Sequence, residues 1–183
     1  MVEIEIEKAK KEANEAIKNL IKKGMLTEEH LKKQKKCTEE LSKIRGEILH
    51  RSIETEMMLG SFLVTYFTYE PYDRDFEKTS NFMEIMNKMS FQRKIEIFKK
   101  IGFHNKKNFN EKYKDFEKIL ESIKESRNMI AHSIQMNFIR PVLGNRKKKI
   151  ELNQDYLNKF HTKADLSMIV LDELISKLIE EKF

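Results

Sequence analysis

Apolar residues along this chain recur mostly at steps of three and four, the spacing of helix faces rather than of strands. Over residues 2–22, Ile4, Ala9, Ala13, Ala16, Ile17, Leu20 and Ile21 keep that step, and Gly24 supplies a natural stop. Thr27 ahead of Glu28 and Glu29 reads as a cap with acids in the first turn. It opens a second helix, or two in series, running to about Tyr69. Within that stretch Leu49, Ile53, Met57, Gly60, Val64 and Phe67 form one apolar stripe. "EPYDRD", around Pro71, breaks the pattern. A short helix is predicted over 81–89, and another, capped by Ser90, ends at Gly102. After the polar loop "GFHNKKNFN", Asn110 caps a longer helix from about 111 to 133.

The period then changes. "IQMNFIRPVLGNRKKKIEL" alternates around a Gly144-Asn145 turn, which predicts a β-hairpin over about 134–152 with Pro141 placing its first strand at an edge. Helical spacing returns from about 154 to 181. Five glycines and two prolines in 183 residues fit long helices. The expected fold is all-α: one domain over 1–183, a helical bundle with a long motif-bearing helix and a small C-terminal β-hairpin insertion.

Composition narrows the partners. Thirty-six Lys and Arg face 30 Asp and Glu, a formal net charge of +6, which favours anions and nucleic acid first. The densest basic cluster, Arg146, Lys147, Lys148 and Lys149 at the hairpin tip, suits a phosphate backbone. The same lysine-rich runs elsewhere read as solvated helix faces. Cys37 is the only cysteine, so an intramolecular disulfide and a thiolate metal cage are excluded. With no apolar run of signal-peptide or membrane-span character, the expectation is a cytoplasmic protein without a membrane partner. Glu47 and His50 make a single Glu-x-x-His, whereas a di-iron bundle needs two together with further glutamates, so neither metal nor cofactor is expected. His30, His104 and His161 read as surface residues.

The stretch "SRNMIAHS", residues 126–133, is where chemistry concentrates. At about 100° per residue, Arg127 falls on the helix's apolar stripe of Phe116, Leu120, Ile123, Ile130 and Ile134. His132 lies on the other side with Glu121, Glu125 and Asn128. An arginine on an apolar stripe needs a partner, because an unpaired buried charge is costly. Either an internal carboxylate answers it, with Glu56 the first candidate and Glu54 pointing further round, or another chain covers it. A structural ion pair for Arg127 and a surface histidine at a helix end are the plain alternatives.

"RNMIAH" resembles the Arg-polar-x-x-x-His signature of the HEPN superfamily. The order of segments is similar too: "ILHRSIETEMMLGSFLVTYF", then "MSFQRKIEIFKKIG", then the motif helix, over roughly 41–133. The resemblance implies an all-helical, typically dimeric domain and a metal-independent endoribonuclease of the toxin or phage-defence kind, held in check by an antitoxin or other regulator. Arg127 and His132 would be catalytic, with Asn128 orienting His132 or contacting the phosphate, and two motifs would meet across a homodimer to form a composite site. RNA would be cut to 2′,3′-cyclic phosphate and 5′-hydroxyl ends. A non-catalytic HEPN module binding nucleotide, RNA or a protein, and a structural helical adaptor, stand beside that reading.

Overall fold

The computed structural model of the protein describes residues 2–24, 26–68, 75–101, 115–135, 142–144 and 149–180. Helix α1 (Val2–Lys22) ends where Gly24 takes a φ of 70° and donates its N–H to the Ile21 carbonyl at 2.9 Å. That left-handed turn needs a residue without a Cβ. Helix α2 (Glu28–Thr68) is one continuous element of 41 residues, opened by Thr27, whose hydroxyl accepts the His30 N–H at 3.2 Å. Helices α3 (Phe76–Lys88), α4 (Phe91–Lys100), α5 (Phe116–His132) and α6 (Gln154–Glu180) follow. Between the last two lie β1 (Ile134–Gln135), β2 (Val142–Gly144) and β3 (Lys149–Glu151).

Helix α2 is the spine: α3, α4, α5 and α6 all pack against it, and α5 also touches α4 and α6. The core gathers Leu41, Ile44, Ile48, Leu59, Phe62 and Leu63 from α2, with Ile95 and Phe98 from α4, Leu120, Ile123 and Ile130 from α5, and Phe160, Leu171 and Leu174 from α6. Phe62, Phe98 and Phe116 stack edge to face at 5.4 and 5.7 Å, tying the start of α5 to α4 and α2. No side chain described in α1 is buried. Among the described residues no helix is long and apolar enough to cross a membrane.

The predominantly helical fold agrees with the sequence pattern, and several details differ. In α2, Ile53, Met57 and Phe67 of the expected stripe are exposed, Met57 by 65%. The buried face runs instead through Ile48, Ser52, Thr55, Leu59 and Phe62. Ser52 and Thr55 donate their hydroxyls to the carbonyls of Ile48 (2.7 Å) and Arg51 (2.9 Å), so they enter the core with their polarity satisfied. The short helix starts at Phe76 rather than 81, because Asp75 caps it by accepting the Lys78 N–H at 2.9 Å. Asn110 and residues 111–114 lie outside the described residues. The motif helix begins at Phe116, since Asp115, at a φ of 66°, is left-handed and cannot continue a right-handed helix from before it.

The hairpin is part of a three-stranded antiparallel sheet in the order β1-β2-β3, with Ile134 opposite Gly144 and Gly144 opposite Lys149. The strand read as one edge strand is thus two, and β2 is central. Pro141 and Asn145 lie outside the described residues.

Gly46 lies exposed in the middle of α2 with open space where a Cβ would point. Gly46→Ala is expected to stabilise the fold by about 1 kcal/mol, raising the melting temperature by about 2–4 °C. Differential scanning calorimetry checks it; a lower melting temperature would mean that this face of α2 is covered.

Candidate functional site

Phe116, Leu120, Ile123 and Ile130 press α5 into the core, and Arg127 occupies the position on that stripe where a further aliphatic side chain would stand. Its guanidinium Nη1 pairs with Glu56 Oε2 on α2. Glu56 Oε1 also accepts from Lys94 Nζ of α4 at 3.2 Å. Side-chain exposures of 5% for Lys94, 13% for Glu56 and 32% for Arg127 grade the cluster from the interior outward. One carboxylate thus joins cations from two helices, and Arg127 keeps its other N–H donors without partners among the described residues.

Glu54, the other carboxylate considered for Arg127, is not part of this cluster. It pairs with Arg51 (2.8 Å) and His50 (3.4 Å), and the bond from Arg51 holds its carboxyl below the usual range. Residues 54 and 56 stand about 200° apart around a helix, so a single partner rarely reaches both. Arg51 in turn reaches Asp165 on α6, and Glu47 meets His161 at 3.3 Å, so α2 and α6 are clasped by charge along their shared edge. His161 is therefore engaged rather than standing alone. Glu47 and His50 point to different partners, and no group of three or more His, Cys, Asp or Glu suited to a metal occurs among the described residues.

His132 is the last residue of α5 and is exposed, with Asn128 one turn before it and also exposed. Neither makes a hydrogen bond or ion pair with another described side chain. Both line an open groove of about 680 Å³ between α5 and α6, together with Ser122, Lys124, Ser126, Tyr156 and Lys163. Arg127 does not line it. Arg45 of α2 donates to the Ile130 carbonyl at 3.0 Å and so fixes the turn that carries His132. Ser133, directly after it, is buried with its Oγ unpaired among the described residues.

A polar network beside the groove ties α5 to α4. Lys124 donates to Glu121 and to Gln92 Oε1 (2.5 Å), and Lys99 donates to Glu121 at 3.0 Å. The bond from Lys124, with Lys99 behind it, holds the Glu121 carboxyl below its ordinary value against the opposing effect of burial.

Of the basic cluster, Arg146, Lys147 and Lys148 lie outside the described residues, and Lys149 is exposed at the start of β3, opposite Gly144. Sequence reasoning missed Lys94, which carries no sign of burial except its place on α4's apolar side between Phe91, Ile95 and Phe98. It also missed Tyr156, Lys159 and Lys163, whose spacing already puts them on one face of α6.

Two outcomes test this geometry. Glu56→Gln leaves Lys94 buried without its carboxylate and is expected to cost about 3 kcal/mol, much of it recovered by adding Lys94→Met. Urea unfolding measures both, and an unchanged midpoint for Glu56→Gln would contradict the cluster. Because the folded-state value of Glu121 is depressed, its stabilisation is full above the ordinary carboxylate value, 4.5, and is lost as the pH falls through the lower folded value. Glu121→Gln should therefore be less stable than the parent near neutrality, by about 1 kcal/mol. The gap should close in acid, as read from unfolding curves across pH.

The chain matches no protein-family model, no curated protein and no solved structure.

Proposed function

We propose that the protein is a HEPN-type bundle acting as a metal-independent endoribonuclease, a homodimer of the toxin or phage-defence kind restrained by an antitoxin or other regulator protein. The observation that carries this reading is the placement of His132. It ends the motif helix open to the α5–α6 groove, unbonded to other described residues, with Asn128 beside it and lysines around it. An imidazole so placed is accessible to a substrate and can accept or supply a proton there.

The chemistry follows from RNA itself. The ribose 2′-hydroxyl attacks the adjacent phosphorus; the P–O2′ bond forms and the P–O5′ bond breaks. One His132 accepts the 2′ proton and a second supplies a proton to the leaving 5′-oxygen. The products are a 2′,3′-cyclic phosphate and a 5′-hydroxyl. Arg127, with N–H donors left over from Glu56, stabilises the charge on the phosphate oxygens in the transition state. Since Arg127 lies off the groove that His132 lines, one protomer does not bring the two together, and a second copy completes the site.

One observation favours a second reading. Glu56 already answers the charge of Arg127, as a structural ion pair would, so the fold also suits a non-catalytic module that binds nucleotide or RNA in the same groove.

Purified protein incubated with total RNA in EDTA separates the two. Cleavage leaving cyclic phosphate ends is expected, lowered about 100-fold or more in His132→Ala and in Arg127→Ala. Melting curves confirm that both variants fold, and light scattering is expected to show a dimer. Equal cleavage by parent and variants, or none by the parent, overturns the enzyme reading.

A further inference from the structure

The groove holds more than the motif residues. On α6, Tyr156, Lys159, Phe160 and Lys163 follow one another at steps of three, one and three, so all four share a helix face. That face looks across at Ser122 and Ser126 of α5, and the contacts are direct. Tyr156 donates its hydroxyl to Ser126 Oγ at 3.2 Å, and Lys163 Nζ donates to Ser122 Oγ at 2.8 Å. Ser126 in turn donates its hydroxyl to the Ser122 carbonyl at 2.9 Å, so Tyr156 is tied to α5 by a two-step chain.

The lining divides by chemistry. Phe160 is buried, and Met129 and Ile150 are half-buried, which makes an apolar floor beside the Tyr156 ring. Beside it stand Lys124 of α5, which is paired with Glu121, and two ammonium groups from α6. Lys163 meets a hydroxyl and no carboxylate among the described residues, so its charge is unneutralised inside a concave site. Lys159 pairs at 2.8 Å with Asp155, but both partners are more than two-thirds exposed. An exposed pair of that kind is worth little and exchanges readily for another anion. Among the described residues the one carboxylate lining the groove, Glu125, belongs to α5, so an anion is drawn to the α6 wall.

An apolar floor with an aromatic wall and two cations on the α6 side is the surface that a single nucleotide presents in reverse. A base has a face to stack and a phosphate to neutralise. The volume, about 680 Å³, lies within the range of about 300–1,000 Å³ typical of small-ligand sites, so it suits one nucleotide rather than a duplex. We infer that the α5–α6 groove is a nucleotide subsite, in which Lys159 and Lys163 hold a backbone phosphate and Tyr156, Phe160 and Met129 take an unpaired base next to His132. The link to a scissile phosphate at His132 rests on the ribonuclease reading; the subsite itself does not. Its consequence for the substrate is that the strand must be single at this point, because a base within a duplex cannot turn into the groove.

The test uses a fluorescently labelled single-stranded 2′-deoxyoligonucleotide in EDTA. Lacking the nucleophile, it reports binding whether or not the protein cleaves RNA. The parent is expected to bind it and to bind the same sequence as a blunt duplex several-fold more weakly. Lys159→Gln with Lys163→Gln should weaken binding several-fold. It should also reduce the slope of log affinity against log salt by about 1.4, or about 0.7 for each phosphate that a lysine no longer neutralises. Tyr156→Leu should reduce the preference for the single strand. Lys32→Gln with Lys36→Gln, exposed far along α2 toward its start, should change little. No binding by the parent, or equal slopes for the groove and control variants, overturns the subsite. Salt-dependent binding through Lys159 and Lys163 with no RNA cleavage would retain the subsite and remove the ribonuclease reading.

Discussion

A carboxylate shared between two cations decides how the motif helix α5 of this protein is seated. Glu56 on the central helix α2 takes Lys94 from α4 and Arg127 from α5, all on faces that otherwise bury aliphatic side chains. Each cation would be expensive there alone, and the carboxylate between two of them is what makes either tolerable. The arrangement fixes more than charge. Arg127 must face α2, so His132, five residues later and about 140° further round, must face away from it. The direction in which the motif presents its histidine is therefore set by an ion pair made on the other side of the same helix.

Around that constraint the remaining contacts hold α5 still. The aromatic contact of Phe98 with Phe116 anchors its start, Glu121 and Lys124 tie one flank to α4, and Arg45 closes its last turn from α2. Helix α6, clasped to α2 through Arg51–Asp165 and Glu47–His161, then supplies the facing wall of the groove. The groove lies where α5 and α6, joined below by the apolar core, also meet through the hydroxyl side chains of Ser122 and Ser126. Ser122 and Ser126 keep the helix surfaces apart enough for a ligand while still joining them.

The split between the two motif groups gives the proposed ribonuclease its dependence on a second copy. A charged phosphate-binding group and a proton-transferring group, presented on different sides of one helix, combine at a single scissile bond only when another motif helix faces the first. The proposed nucleotide subsite, by contrast, is lined by residues of one chain.

The sequence alone determined the helical character of the chain, the stop at Gly24, the cap at Ser90, the C-terminal helix, and the opposite sides on which Arg127 and His132 stand, because all of these depend on local spacing and capping. It also named Glu56, which borders the apolar stripe of α2, as the first candidate partner for Arg127. The tertiary structure alone decided which face of α2 is buried, since Ser52 and Thr55 conceal their polarity in bonds to the preceding turn while Met57 stays in solvent. It alone revealed Lys94 as an interior cation and separated Glu54 from Arg127. The groove was likewise beyond local reading. Its walls are 30 residues apart in sequence, as Ser126 and Tyr156 show, and only the packing of α5 against α6 brings their hydroxyls within hydrogen-bond distance.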